Sequence, residues 1–145
     1  MANATKPLAA LLLVVVLVLL QLAPSSTARH SPAVSSHTPA VMTVNGFERG
    51  ESGGGASACD GHFHSDGEKI VALSSGWLRL DGTRRCNRKI RITSRGGRSV
   101  VAKVVDECDS SRGCDDNIVD SSEAVWKALG LDTDVGRVPV TWSDA

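Results

Sequence analysis

The sequence predicts a small, mainly β domain: a barrel of short strands with one inserted helix. Three observations predict it. Residues 89–93, Lys-Ile-Arg-Ile-Thr, alternate polar and apolar with the two-residue period of a half-buried strand. Residues 99–106 place Val100, Ala102 and Val104 on one side and Val101 and Val105 on the other. A strand apolar on both faces suits the centre of a barrel better than a sheet edge. A single helical pattern then stands among these strands, with Val125, Ala128 and Leu129 on one face. Many short strands around one helix are the signature of a small closed sheet rather than a layered α/β domain.

The other elements follow in chain order. Residues 41–47 alternate loosely and predict a first strand. Residues 49–59 contain Gly53-Gly54-Gly55 among small and charged residues. A glycine run of this kind cradles phosphate when Lys-Ser/Thr and a helix follow; neither does, so the segment reads as a structural loop. Residues 70–73 form a short apolar run and predict a second strand, and Gly96-Gly97 supplies the turn between the strands at 89–93 and 99–106. The helix should begin at Asp120 as N-cap, with Glu123 at capping-box spacing, and should stop at Gly130 in the C′ position. Residues 138–142 form the last strand, with Pro139 where no ladder donor is needed.

The amino terminus has a different character. Lys6 is followed by thirteen residues, 8–20, that are all Leu, Val or Ala, too short a run for a comfortable membrane span and within the length of a signal-peptide core. Ser26-Thr27-Ala28 places small residues where a signal peptidase reads, so residues 1–28 are expected to be a cleaved signal peptide. Residues 29–40, rich in Ser, His, Pro and Ala, read as a flexible lead-in, and residues 41–145 as the barrel domain. Acidic and basic residues balance at 16 each, which gives no support for nucleic-acid binding or for an anionic membrane surface. The four cysteines, Cys59, Cys86, Cys108 and Cys114, permit three pairings. Outside the cell two disulfides are expected, and Cys59–Cys86 with Cys108–Cys114 is the simplest arrangement.

Several segments together carry a resemblance. They include Gly53-Gly54-Gly55 with Cys59-Asp60-Gly61, His64-Ser65-Asp66, Ala72-Leu73-Ser74-Ser75-Gly76-Trp77 and Arg85-Cys86. The most distinctive is Val104-Val105-Asp106-Glu107-Cys108-Asp109-Ser110, followed by Asn117-Ile118-Val119-Asp120 and Ala124-Val125-Trp126-Lys127-Ala128-Leu129-Gly130. Over about ninety residues the chain resembles the kiwellin or ripening-related family of secreted plant proteins. The resemblance implies a six-stranded double-psi β-barrel of the barwin and expansin type, with one inserted short helix. The chain departs from the longer kiwellins in two ways: residues 29–40 contain no cysteine-rich module, and only Asp115-Asp116 stands where those proteins carry a cysteine-containing insertion.

The candidate site residues are Asp60, His64, Trp77, Asp106, Asp109, Asp120 and Trp126. Asp106 follows Val104 and is expected to point toward the interior or the mouth of the barrel. Asp120 resembles, by position, the general acid of barrel endoglucanases. A hydrolase of that kind needs a second carboxylate, and the sequence singles none out. The competing reading makes Asp120 a helix cap and Asp106 an acceptor for backbone donors. His62 and His64 would share a strand face beside Asp60 and Asp66, yet such histidines are usually solvated, so neither metal nor cofactor is expected. Of the three tryptophans, Trp142 is assigned to packing, while Trp77 and Trp126 remain candidates for stacking on a sugar or anchoring a protein.

The family resemblance makes a non-enzymatic, monomeric binding protein of the apoplast the leading expectation. Its partner would be a secreted protein, such as a pathogen's enzyme, or a cell-wall polysaccharide. The alternative is a carbohydrate-binding or wall-modifying protein of the expansin or endoglucanase kind, and a third reading is a structural wall protein. An open groove with two carboxylates and exposed aromatics would favour the alternative.

Overall fold

The computed structural model describes residues 30–79 and 84–145. The expected signal peptide lies outside the described residues.

Six strands close into a barrel: β1 (Thr38–Val44), β2 (Ile70–Ser74), β3 (Lys89–Ser94), β4 (Ser99–Cys108), β5 (Ile118–Ser121) and β6 (Arg137–Asp144). Around the barrel their order is β1-β5-β2-β4-β3-β6, with β6 returning to β1. Two pairs are parallel, β1 with β5 and β2 with β4; the others are antiparallel. Two short helices are set among them, α1 (Ser75–Arg79) and α2 (Glu123–Ala128).

The two-residue period fills the interior. Ile90 and Ile92 from β3, Val100, Ala102 and Val104 from β4, and Val140 and Trp142 from β6 all enter one core with Met42, Val71, Leu73 and Val119. Strand β4 lies between β2 and β3, and its outer face is covered only at the Val105 end, with Ser99 and Lys103 exposed and Val101 half-buried. Val105 joins Phe47, Ile70 and Ala72 in a second, smaller apolar cluster outside the barrel. The two-faced pattern of residues 99–106 is met in part: Val105 is buried outside the barrel, whereas Val101 is only half-buried. Gly97, at φ 85°, turns β3 into β4, and its N–H donates to the Ser94 carbonyl at 3.0 Å. Pro139 sits opposite Val41, whose own N–H is directed to Asn117 on the far side. The donor that Pro139 lacks would point past the end of β3, where no ladder partner is required.

Three expectations are corrected. The helix does not begin at Asp120: residues 118–121 form β5, Ser122 is the N-cap, and Asp120 is a strand residue. The acid-x-x-Glu spacing imitates a capping box, but pairing with β1 and β2 holds this stretch extended. The carboxy-terminal end of α2 is as expected. Gly130, at φ 70°, donates to the Lys127 carbonyl and Leu131 to that of Trp126, which is a Schellman motif.

The second correction concerns residues 29–40, whose described part is tied down. Thr38 opens β1 and is fully buried, and the Pro32 carbonyl accepts from the Trp77 indole N–H at 2.7 Å. A side chain on Gly76 would collide with Ser31, so α1 and the lead-in touch at van der Waals distance. Third, Asp106 does not point inward. Between Val71 and Ala72 the β2–β4 register slips, so that Val71 faces Val104 while Ala72 faces Asp106. Val105 is the extra residue of a bulge, and after it the side-chain alternation is reset.

Both disulfides of the simplest pairing are formed, Cys59–Cys86 and Cys108–Cys114. The first ties the long loop between β1 and β2 to the turn that precedes β3. The second closes a short ring after β4.

Candidate functional site

The register of four neighbouring strands builds the site. Asp106 on β4 is level with Ala72 on β2, Ala72 with Asp120 on β5, and Asp120 with Thr43 on β1. Laterally paired residues share a face. Val71, Leu73 and Val119 take the interior positions beside them, so this row stands on the outside of the barrel. Two strand spacings separate Asp106 from Asp120, roughly 10 Å between backbones. Nothing local in the sequence pairs the two acids, because the bulge at Val105 and the β2–β5 contact are both needed to align them.

Each carboxyl is engaged on one oxygen. Asp120 Oδ1 accepts from the Thr43 hydroxyl at 2.5 Å. Asp106 Oδ1 accepts from the Ala58 and Glu107 N–H groups, both at 2.8 Å. Burial is the chief cause holding both carboxyls above the ordinary Asp range. For Asp120 the Thr43 hydroxyl partly offsets this and the Asp106 charge adds to it. For Asp106 the two backbone donors offset it, while Glu107 and Asp60 add to it. The burial has a visible source. Ala72, the residue between the two acids, is 2% exposed and belongs to the cluster that Phe47 makes with Ile70 and Val105.

The loop that covers this face carries five further acids and two histidines. His64 Nε2 lies 2.9 Å from Asp60 Oδ2, and its Nδ1 lies 3.4 Å from Glu68 Oε2. Burial tends to raise the Asp60 carboxyl, but the His62 N–H and the His64 ring outweigh it and hold the group below its ordinary value. Asp66 Oδ1 accepts from the Phe47 N–H at 3.2 Å and so anchors the aromatic ring's own backbone. Asp60, His64, Asp106 and Asp120 thus lie on one side of the molecule. No grouping of His, Cys, Asp and Glu suited to a metal ion occurs among the described residues.

The remaining candidates are placed elsewhere. Asp109 turns into its own loop, where it accepts from Ser111 and lies 3.5 Å from Arg112. Its Ser111 hydrogen bonds keep its carboxyl low. Trp77 and Trp126 are both fully buried and cannot form a contact surface. Trp77 stacks edge-on against Trp142 with ring centroids 5.2 Å apart, and the Trp126 indole donates to the Thr43 carbonyl at 3.1 Å. Trp126 stands outside the apolar stripe of Val125, Ala128 and Leu129. In fact α2 lies against the barrel on a broad front, which the stripe of a six-residue helix understates. Phe47 and Phe63 complete the set of aromatics. Phe47 is buried, and the half-buried Phe63 ring lies under the Arg49 guanidinium, 4.4 Å from its centroid.

Residues that sequence reading passed over complete the arrangement. Thr43 is the partner of Asp120, Ala72 is the spacer between the acids, and Phe47 covers it. None has a local signal, because each takes its role from a strand or loop distant in the chain.

Known proteins are similar to this chain in both sequence and fold. Residues 19–145 match the Kiwellin-1 family. Ripening-related protein 6 of Oryza sativa subsp. japonica is 70% identical over 118 residues, covering 79% of this chain and 70% of the other. Kiwellin of Actinidia chinensis var. chinensis is 54% identical over 125 residues, covering 79% of this chain and 58% of the other. Among solved structures, a GH45 endoglucanase in complex with cellobiose superposes with a TM-score of 0.52 at 16% identity, over 81% of this chain and 86% of that one. A computationally designed double-psi β-barrel matches 74% of this chain and 99% of its own length at 22% identity, with a TM-score of 0.44. The fold is a double-psi β-barrel, and the chain belongs to the kiwellin family of ripening-related plant proteins.

Proposed function

We propose that this chain is a secreted, non-enzymatic binding protein of the plant apoplast, active in ripening or defence, and that it recognises a protein partner through the acidic face around Asp60, Asp106 and Asp120. A secreted microbial enzyme is the partner class that the family suggests. The observation that carries the reading is the covered strip between the two aligned acids. A glycosidase needs an open gap between its carboxylates for the sugar and, in inverting enzymes, for water. Here Ala72 fills that strip under the Phe47 cluster, and Asp106 is committed to two backbone donors.

The placement of all five aromatics supports the same conclusion. Four are buried and the fifth lies under Arg49, so no open ring offers a platform for a neutral sugar. The two disulfides fit an oxidising compartment, and no helix among the described residues is long and apolar enough to cross a membrane.

The test is biolayer interferometry with the mature protein immobilised. Secreted microbial enzymes, cello-oligosaccharides and xyloglucan fragments are the analytes. Binding of an enzyme that weakens in Asp60→Asn/Asp106→Asn supports the proposal. Binding of neutral oligosaccharides with release of reducing ends would overturn it.

A further inference from the structure

The barrel wall from β4 to β3, next to the acidic face, has its own charge pattern. Lys89 on β3 and Lys103 on β4 are direct cross-strand partners, and both are exposed. Ile90, Ile92, Ala102 and Val104 take the interior positions beside them, so both lysines stand outward on the same face. Like charges directly opposite one another weaken a sheet. Arg91 is the next outward residue of β3, about 7 Å along the strand, and Arg88 precedes Lys89. None of these four cations has a carboxylate within ion-pair distance among the described residues. The neighbouring outward positions of β3, β4 and β6 are Thr93, Ser99, Val101, Thr141 and Ser143, with no acid among them. In a chain whose charges balance overall, this is segregation rather than a general basic excess.

One end of the strip is rigidly built. A depression of about 480 Å³ opens beside Lys89, lined by Arg85, Asn87, Arg88 and Asp144. The turn that forms it is held by the Cys59–Cys86 disulfide and by Asn87 in the left-handed region, at φ 62°. Arg85 is buried beneath it. Its Nε and Nη2 reach Asp144 at 2.8 and 3.1 Å, and its Nη1 reaches the Trp77 carbonyl. Asp144 is thereby engaged by Arg85.

We infer that the outward face of β3 and β4, with Lys89, Arg91 and Lys103 at its centre and Arg88 at its end, binds a linear polysaccharide that carries carboxylates on successive sugars. Cations repeated along a strand match charges repeated along a chain, and the flanking Thr and Ser hydroxyls suit sugar hydroxyls. Single-stranded nucleic acid would want aromatic rings for its bases, and this face has none. The site adjoins the acidic face along β4, where Lys103 and Asp106 are three residues apart, and does not depend on the function proposed for that face.

The test is co-sedimentation of the mature protein with de-esterified polygalacturonate at low and at physiological salt. Fully methyl-esterified polymer, anionic phosphatidylserine vesicles and single-stranded DNA run in parallel. The expected result is binding to the de-esterified polymer alone, weakened by salt. It should fall by roughly tenfold in Lys89→Gln/Arg91→Gln/Lys103→Gln, from surface charge pairs of ordinary strength. That variant should melt no lower than the parent, because it relieves the Lys89–Lys103 repulsion; should it fail to fold, Lys103→Gln alone provides the comparison. Asp106→Asn, which removes a negative charge on the same strand as Lys103, should not weaken this binding. Equal binding by a folded variant, equal binding to the methylated polymer, or binding only to vesicles or DNA would overturn the inference. So would low-salt self-association that accounts for the sedimentation.

Discussion

Asp106 and Asp120 stand level with one another on the outside of the barrel, two strands apart, with Ala72 between them. The pairing is a product of tertiary structure. It needs the bulge at Val105 to bring Asp106 outward, and it needs β5 to run as a strand where local spacing suggests a helix cap.

Asp120→Asn should stabilise the protein near neutral pH. The folded-state carboxyl lies above its ordinary value, chiefly because of burial, so the folded chain holds this proton more tightly than the unfolded one. Stability from this group is then greatest at low pH and declines as pH rises between the ordinary and the raised value. Melting temperatures across pH 3–7 should show the variant gaining on the parent as pH rises and matching it at the acid end. The amide oxygen still accepts from Thr43. A gain that is equal at every pH would point to a cause other than ionisation.

Asp106→Ala releases the Ala58 and Glu107 N–H groups and should cost about 1–3 kcal/mol. Asp106→Asn keeps an acceptor and should cost less. Amide exchange measured by NMR should accelerate at Ala58 and Glu107 in the alanine variant. Unchanged exchange at both would mean that the carboxylate does not hold the loop.

Phe47→Ala should destabilise the chain by roughly 3 kcal/mol, within the range for removing a buried phenyl ring. Denaturant unfolding at neutral pH measures it. The parent protein should release no reducing ends from cellulose or xyloglucan over long incubation. Should the folded Phe47→Ala variant acquire that activity, and lose it again with Asp120→Ala, the strip under Phe47 would be a plugged catalytic gap.

The two disulfides should contribute unequally. Cys59–Cys86 spans 27 residues and Cys108–Cys114 spans 6. In the chain-entropy model these correspond to roughly 3.6 and about 2.2 kcal/mol. Paired Cys→Ala variants, compared by guanidinium unfolding, should rank in that order. The reverse ranking would show that native-state contacts outweigh loop closure.

The strands were legible where alternation is local. Ile90 with Ile92, and the two faces of residues 99–106, identify β3 and β4, and the family motifs supply the barrel that joins them. β5 was not legible, because Asp120 and Glu123 at capping-box spacing outweigh four residues of strand. The tryptophans misled for a related reason. With few aromatics in the chain, Trp77 and Trp126 looked spare for binding, whereas a barrel this small needs them inside. Of the candidate site, the sequence names Asp60, His64, Asp106 and Asp120 as candidates. Their alignment, and the cover that Phe47 provides, depend on pairing between remote strands.

The first strand of this barrel pairs only with the last two, Val41 with Ile118 on β5 and Thr38 with Trp142 on β6. Loop-closure entropy must be met across nearly the whole domain before those ladders form. β1 therefore finds no sheet partner among the three strands that follow it, and the barrel cannot close before β5 and β6 are in place. The β2–β4 and β3–β4 ladders can form without β1, so the two seams along β1 are where the barrel opens and shuts as a unit.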